Sequence, residues 1–128
     1  MTDSIRRLYD GVRAARGLDP SLSRTARLLH AGPRKIAKKL AEEATEVALE
    51  AAAGNRNEVI RESADLLYHL VVLWVEAGVQ PKDIWAEMER REKLFGIAEK
   101  LRKTPLVEPS PRDVPPVRLE RARRRRAR

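Results

Sequence analysis

Five carboxylates in the middle of the chain have the spacing of two acidic helix faces. Glu42, Glu43 and Glu46 form the pattern E-E-x-x-E, and Glu62 and Asp65 form the pattern E-x-x-D. Residues three and four apart share one face of an α-helix. If the two helices form an antiparallel hairpin, the acidic faces can meet. Because like charges repel at close range, we expect a cation among them, and oxygen ligands suit Mg²⁺ or Mn²⁺.

Each motif taken alone is also typical of a solvated helix face, where lysines one turn earlier give favourable i, i+4 pairs. The position of Glu62 and Asp65 argues against that interpretation. They lead directly into residues 66–75, the most hydrophobic segment of the chain. Carboxylates beside a buried surface are costly unless they are paired or bind a metal. Taken together, the two motifs therefore indicate a functional site.

A multi-carboxylate metal site beside basic residues suits phosphate chemistry, because the cation neutralises phosphate charge and activates water. No glycine-rich loop of the type G-x-x-x-x-G-K is present, which excludes a P-loop enzyme. The candidate phosphate-binding residues are five cations and one histidine: Arg27, Arg34, Lys38, Lys39, Arg91 and His69. For each cation, plain solvated charge is an equally good explanation. His69 can equally be a hydrogen-bonded core histidine.

The elements that must position these residues are all helical. Periodic apolar residues and breakers predict helices over residues 4–16, 23–31, 34–53 and 57–77, and a fifth from residue 81. This pattern predicts an all-α fold, a compact bundle of four to five helices. The second half of the fourth helix is apolar nearly all round, so we expect it to be buried on more than one side. In a chain this small we expect a homodimer or homotetramer, built on four residues of this helix: Leu67, Leu70, Val71 and Trp74.

Composition narrows the class of protein further. The 128 residues suit one domain and include no cysteine, which excludes disulfides and thiolate zinc sites. No apolar run reaches membrane-spanning length, and the N-terminal sequence does not resemble a signal peptide. We expect a cytoplasmic protein without membrane contact.

The net charge of +8 comes mostly from the C-terminal end. Residues 118–128 contain seven arginines and one acid, whereas residues 104–117 contain five of the eight prolines. Proline blocks helix and removes backbone donors. We therefore expect a helical domain over residues 1–103 and a disordered proline-rich linker and arginine-rich tail over residues 104–128, with weak, nonspecific nucleic-acid contact by the tail.

The two acidic motifs carry a family resemblance. Residues 35–46 read K-I-A-K-K-L-A-E-E-A-T-E and residues 62–70 read E-S-A-D-L-L-Y-H-L. They resemble the K-K-x-G-E-E-x-x-E and E-x-A-D-L-x-Y-H segments of the phosphoribosyl-ATP pyrophosphatase family, within the all-α nucleotide pyrophosphatase superfamily typified by MazG. Ala41 stands where the family usually has glycine. Residues 25–28 and 95–97 match flanking family features.

The resemblance implies an ATP-derivative-binding hydrolase of histidine biosynthesis, which converts phosphoribosyl-ATP to phosphoribosyl-AMP and pyrophosphate. It also implies that Mg²⁺, or Mn²⁺ in its place, is held by a subset of the five carboxylates. The predicted metal ligands are Glu43, Glu46, Glu62 and Asp65. The predicted catalytic residues are these four and Glu42, and one carboxylate outside the direct ligands would orient or deprotonate the attacking water.

Two alternatives stay open from the sequence. A MazG-type house-cleaning enzyme would hydrolyse canonical or damaged nucleoside triphosphates, and a substrate panel separates the two activities. A non-catalytic helical scaffold would instead bind nucleic acid through its arginine tail.

Removal of the tail tests the scaffold alternative. A truncation ending at Lys103 is expected to keep its turnover, because residues 104–128 hold too little apolar surface to offset the entropy of ordering. Steady-state kinetics and a salt-dependent nucleic-acid binding assay measure the two functions. A severalfold rise in the Michaelis constant would contradict a passive tail.

Overall fold

A computed structural model describes residues 2–101, with side chains described for residues 4–96. Five α-helices follow one another along these residues: α1 (Thr2–Ala15), α2 (Arg24–Ala31), α3 (Pro33–Ala53), α4 (Arg56–Ala77) and α5 (Pro81–Leu101). No strand occurs in the described residues. The predicted all-α class is confirmed, and the predicted helices recur with shifted ends. The predicted boundary at residue 103 and the tail lie outside the described residues.

Local signals in the sequence set the ends of the central helices. Ser23 caps the start of α2, where its hydroxyl accepts a hydrogen bond from the Ala26 amide at 3.1 Å. α3 and α4 each end at a glycine in the left-handed region, Gly54 with φ 77° and Gly78 with φ 71°. Only glycine adopts this conformation readily. Gly54 and Asn55 alone separate α3 from α4, so these helices form a tight hairpin.

The core surrounds the second half of α4. Val71 and Val72 are both completely buried. Neighbouring residues on a helix point about 100° apart, so α4 is covered on more than one side. The buried cluster draws on four helices and comprises Tyr9, Val12, Leu29, Ile36, Val71, Val72, Trp74 and Val75. The second cover of α4 is therefore supplied in part by α1 and α2 of the same chain.

This packing corrects one expectation about the surface for a second subunit. Val71 is completely buried and Trp74 is 8 % exposed within the single chain, so neither presents an open face to a partner. Leu67 remains 46 % exposed, and Ile60, two turns earlier on α4, is 53 % exposed. Residues seven apart share a helix face. The open apolar face of α4 therefore lies in its first two-thirds rather than its last third.

α5 begins in the same compact unit as the other helices. That unit ends at Arg91, and the described residues beyond it continue the helix as part of a second unit. In the first unit, Ile84 packs against the core, and the Trp85 ring meets Trp74 edge-on with centroids 6.4 Å apart. None of the described helices is long and apolar enough to span a bilayer.

Candidate metal centre

The α3–α4 hairpin brings three of the five predicted carboxylates together. Glu43 from α3 and Glu62 and Asp65 from α4 each contribute one carboxylate oxygen to a group within 4.8 Å of one another. Glu43 and Glu62 are partly buried, whereas Asp65 is exposed. The group is therefore open to solvent on the Asp65 side. A ligand that needs three converging oxygens can reach it from that side.

Two oxygens of this group are buried without a hydrogen-bond donor. Glu43 Oε2 and Glu62 Oε2 have no partner among the described residues. A buried charged oxygen without a partner is costly, because it has lost water and gained nothing in return. A divalent cation would offset this cost, and carboxylate oxygens are the ligands that Mg²⁺ and Mn²⁺ prefer. The residues present therefore fit such an ion.

The neighbouring carboxylates and burial raise the pKa of Glu62. The pKa of its carboxyl group is raised to about 7, first by a hydrogen bond shared with Glu46, then by burial, and then by the negative charges of Glu46 and Glu43. A hydrogen bond to the protonated form and nearby like charge both favour the neutral acid. Glu46 therefore adjoins Glu62, although it is exposed and lies outside the three-oxygen group.

Glu42, like Glu46, is a predicted catalytic residue that lies outside the three-oxygen group. It is exposed, and its Oε2 lies 3.5 Å from Lys39 Nζ. Glu42 also lines an open depression on α3 together with Arg34, Lys35 and Lys38. It thus lies on the basic surface of α3 rather than in the three-oxygen group.

His69 is a hydrogen-bonded core residue. It is 4 % exposed, and its Nδ1 lies 2.8 Å from the backbone carbonyl oxygen of Asp65. A carbonyl oxygen only accepts, so Nδ1 donates this hydrogen bond. Next to it, the Tyr68 hydroxyl lies 2.6 Å from Thr25 Oγ1 and joins α4 to α2. These bonds hold the α4 backbone at Asp65 in place.

The predicted phosphate-binding cations fall into two groups. Arg34, Lys38 and Lys39 line the depression beside Glu42. Arg27 and Arg91 already have partners, since Arg27 Nε donates to the Pro20 carbonyl at 3.2 Å and Arg91 Nε donates to a Glu87 oxygen at 3.0 Å. The structure therefore places the predicted cations of α3, and not Arg27 or Arg91, beside Glu42.

Sequence reasoning missed Lys35 as part of this basic surface. Lys35 lies four residues before Lys39 and eight before Glu43, so helical periodicity puts all three on one ridge. That spacing was the signal in the sequence. The sequence alone does not show which ridge of α3 lies beside the carboxylate group, because that depends on the register of α3 against α4.

The raised pKa of Glu62 predicts how stability depends on pH and metal. A group whose folded pKa exceeds its unfolded value of about 4.5 stabilises the fold most when protonated, so the metal-free protein should lose stability as pH rises towards 7. Mg²⁺ should reverse this loss and raise Tm by more at pH 8 than at pH 5.5. Thermal unfolding in chelator and in Mg²⁺ measures both effects.

The isosteric Glu62→Gln variant is the control for this measurement. It mimics the protonated acid, so at pH 8 in chelator it should unfold at a higher temperature than the unmodified protein, and Mg²⁺ should no longer shift it strongly. A Tm that is independent of pH and of Mg²⁺ in the unmodified chain would contradict a metal centre at this group.

Comparison with known proteins finds one family whose match spans these residues. The family described as phosphoribosyl-ATP pyrophosphohydrolase matches residues 5–92, which include all five carboxylates. A Rhodopseudomonas palustris protein named phosphoribosyl-ATP pyrophosphatase 2 is 64 % identical over 110 residues, covering 86 % of this chain and 84 % of the relative.

Two further relatives carry related names. A Bradyrhizobium diazoefficiens phosphoribosyl-ATP pyrophosphatase 2 is 61 % identical over 109 residues, which cover 85 % of this chain and 81 % of that protein. A Gluconobacter oxydans phosphoribosyl-ATP pyrophosphatase is 59 % identical over 96 residues, covering 75 % of this chain and 72 % of the relative. With its helical fold and the match across residues 5–92, the chain belongs to the phosphoribosyl-ATP pyrophosphohydrolase family.

Proposed function

We propose that this chain hydrolyses phosphoribosyl-ATP to phosphoribosyl-AMP and pyrophosphate in histidine biosynthesis, with a divalent cation held between α3 and α4. Family membership supports the reaction and the substrate. The observation that supports the site is the convergence of oxygens from Glu43, Glu62 and Asp65 within 4.8 Å. A phosphoanhydride needs positive charge beside it and a positioned water, and a cation at this group answers both needs.

In this proposal Glu43, Glu62 and Asp65 hold Mg²⁺, which Mn²⁺ can replace. Glu46, the fourth predicted ligand, either binds the ion as well or lies beside its ligands. The bound cation supplies charge neutralisation and a water of lowered pKa. Glu46 is exposed and lies close enough to Glu62 to raise the pKa of that carboxyl, so it is the carboxylate proposed to orient the attacking water and accept its proton. Glu42 contributes to the site indirectly, because its ion pair with Lys39 positions that lysine.

The bond that breaks is the anhydride between the α- and β-phosphates. The water oxygen bonds to phosphorus, pyrophosphate leaves, and the proton of water passes to a carboxylate. Negative charge grows on the phosphate oxygens during this step, so nearby cations stabilise the transition state. Lys38 and Lys39 are the cations proposed for this role. Arg27, Arg91 and His69 are weaker candidates because they are not among the residues that line the depression beside Glu42.

The two alternative functions are less well supported. A house-cleaning nucleoside triphosphate pyrophosphatase shares the acidic motifs, but the matching family and the named relatives are phosphoribosyl-ATP enzymes. A non-catalytic scaffold gives no reason for two buried carboxylate oxygens without donors. The proposed location is the cytoplasm, where this biosynthetic chemistry takes place, and the proposed assembly is a homodimer or homotetramer.

Charge removal at single carboxylates tests the proposed reaction. Glu46→Gln and Asp65→Asn should keep the helical fold and lower kcat roughly a hundredfold or more, because each removes one negative charge with little change of shape. Pyrophosphate release from phosphoribosyl-ATP, with excess Mg²⁺ and with chelator, is the measurement.

Glu50→Gln is the matched control for these variants, one turn beyond Glu46 on α3. Glu50 accepts a hydrogen bond from Asn55 at 2.8 Å and lies outside the three-oxygen group, so this variant should keep full turnover. Full activity of Glu46→Gln and Asp65→Asn, or of the unmodified chain in chelator, would sink the proposed metal mechanism.

The proposed assembly has its own test on the open face of α4. Ile60 and Leu67 are large, exposed and two turns apart, and a small domain gains by covering such a face. Ile60→Glu/Leu67→Glu should shift the sedimenting species to the monomer at low micromolar concentration. Leu22→Glu, at a side chain that is 87 % exposed, should leave the assembly intact. A stable, active monomer of the unmodified chain would argue against the assembly.

A further inference from the structure

A basic depression lies on α3 just before the carboxylate group. Its open volume is about 450 Å³, and Arg34, Lys35, Lys38, Lys39 and Glu42 line it. Within the described residues, Lys39 is the one cation of these four that pairs with a carboxylate. The depression therefore carries a strong excess of positive charge. Its volume lies within the range of small-molecule sites, roughly 300–1,000 Å³.

One ridge of α3 leads from two residues of the basic depression, Lys35 and Lys39, to the carboxylates of the metal centre, whereas Arg34 lies off this ridge at the start of the helix. Lys35, Lys39, Glu43 and Glu46 follow at intervals of three or four residues, so their side chains share a face. At a rise of about 1.5 Å per residue, Lys39 lies about 6 Å and Lys35 about 12 Å along the axis from Glu43. One ligand can therefore reach the carboxylates with one end and the start of α3 with the other.

The positive charges at the start of α3 lower the stability of the chain when no anion is bound there. Arg34 and Lys35 occupy the first turn, which holds no acidic residue, and the preceding Gly32 gives no side-chain cap. The N-terminal end of a helix carries partial positive charge, so cations there destabilise the helix, whereas acidic residues would stabilise it. A bound anion offsets both the cations and the helix end. Cations at this position favour the binding of an anionic ligand and lower the stability of the ligand-free chain.

The proposed substrate has a second anionic group that needs such a site. Phosphoribosyl-ATP is ATP whose adenine ring carries a ribosyl 5-phosphate, a monoester with about −1.5 to −2 charge at pH 7. An enzyme that recognised only the triphosphate and the adenine would also hydrolyse ATP. Discrimination must come from contacts to the phosphoribosyl group, and charge-assisted hydrogen bonds to its phosphate are the strongest ones available.

We propose that the end of the basic depression at Arg34 and Lys35 is a second phosphate subsite, in which these two residues bind the ribosyl 5-phosphate and thereby select phosphoribosyl-ATP over ATP. This inference rests on the proposed function. Lys38 and Lys39 lie between this subsite and the carboxylates, on the side where the triphosphate binds. The substrate then spans α3, with the triphosphate at the metal centre and the monoester at the first turn of the helix.

The test compares two substrates that differ only in the monoester. Phosphoribosyl-ATP and the same compound without its 5-phosphate are hydrolysed by the full-length unmodified chain and by Arg34→Ala/Lys35→Ala in excess Mg²⁺. Both residues are exposed, so the fold should persist. For phosphoribosyl-ATP the variant should lose roughly ten- to a hundredfold in kcat/KM, mainly through KM. For the dephosphorylated compound its kcat/KM should stay within about twofold of the unmodified value.

A matched control removes the same charge elsewhere. Arg56→Ala/Lys82→Ala takes exposed cations from the starts of α4 and α5 and should change neither substrate's kcat/KM. The conservative Arg34→Lys/Lys35→Arg variant should recover most of the lost selectivity.

The outcomes separate the subsite from the reaction. Equal losses for both substrates in Arg34→Ala/Lys35→Ala, or no loss for either, would overturn the subsite while leaving the hydrolysis in place. An equal loss in the Arg56→Ala/Lys82→Ala control would reduce the effect to general electrostatic attraction and overturn the subsite as well. Failure of the unmodified chain to hydrolyse phosphoribosyl-ATP at all would overturn the proposed function, and the subsite with it.

Discussion

The close approach of like charges between α3 and α4 is the constraint on which the rest of this structure depends. Glu43 on α3 would move away from Glu62 and Asp65 on α4 if the helices were free, because carboxylate oxygens within 4.8 Å of one another repel. Helix packing opposes that repulsion. The short Gly54–Asn55 turn holds α3 and α4 side by side, and the buried valines of α4 fix the register. Apolar packing thus maintains an arrangement that electrostatics alone would disrupt.

The neighbouring helices reinforce that arrangement at the site itself. α1 and α2 cover the second half of α4, and the Thr25–Tyr68 hydrogen bond joins α2 to α4 within four residues of Asp65. The bond between His69 and the Asp65 carbonyl stabilises the same stretch of backbone from inside the core. His69 therefore matches the core-histidine interpretation that the sequence left open beside the phosphate-binding one.

The opposite charges of α3 are separated along its length. Its first turns carry four cations around an open depression, and its middle carries the glutamates that face α4. The Lys39–Glu42 pair lies where the two regions meet. A helix with this pattern is suited to an elongated ligand that carries phosphate at both ends. The cations of this pattern belong to α3 and not to the arginine-rich C-terminal tail.

The sequence by itself determined the helices and the chemistry. Apolar period, glycine stops and the serine cap are local signals, so helix positions were predictable to within a few residues, and E-E-x-x-E and E-x-x-D identified the acidic faces. Only the tertiary structure decided which carboxylates meet. It separates Glu42 from the group, leaves Glu46 at its edge, and buries Val71 and Trp74 within the chain's own core. The reason is that periodicity fixes the face of a helix on which a residue lies, whereas the rotation and register of one helix against another depend on packing among residues far apart in sequence.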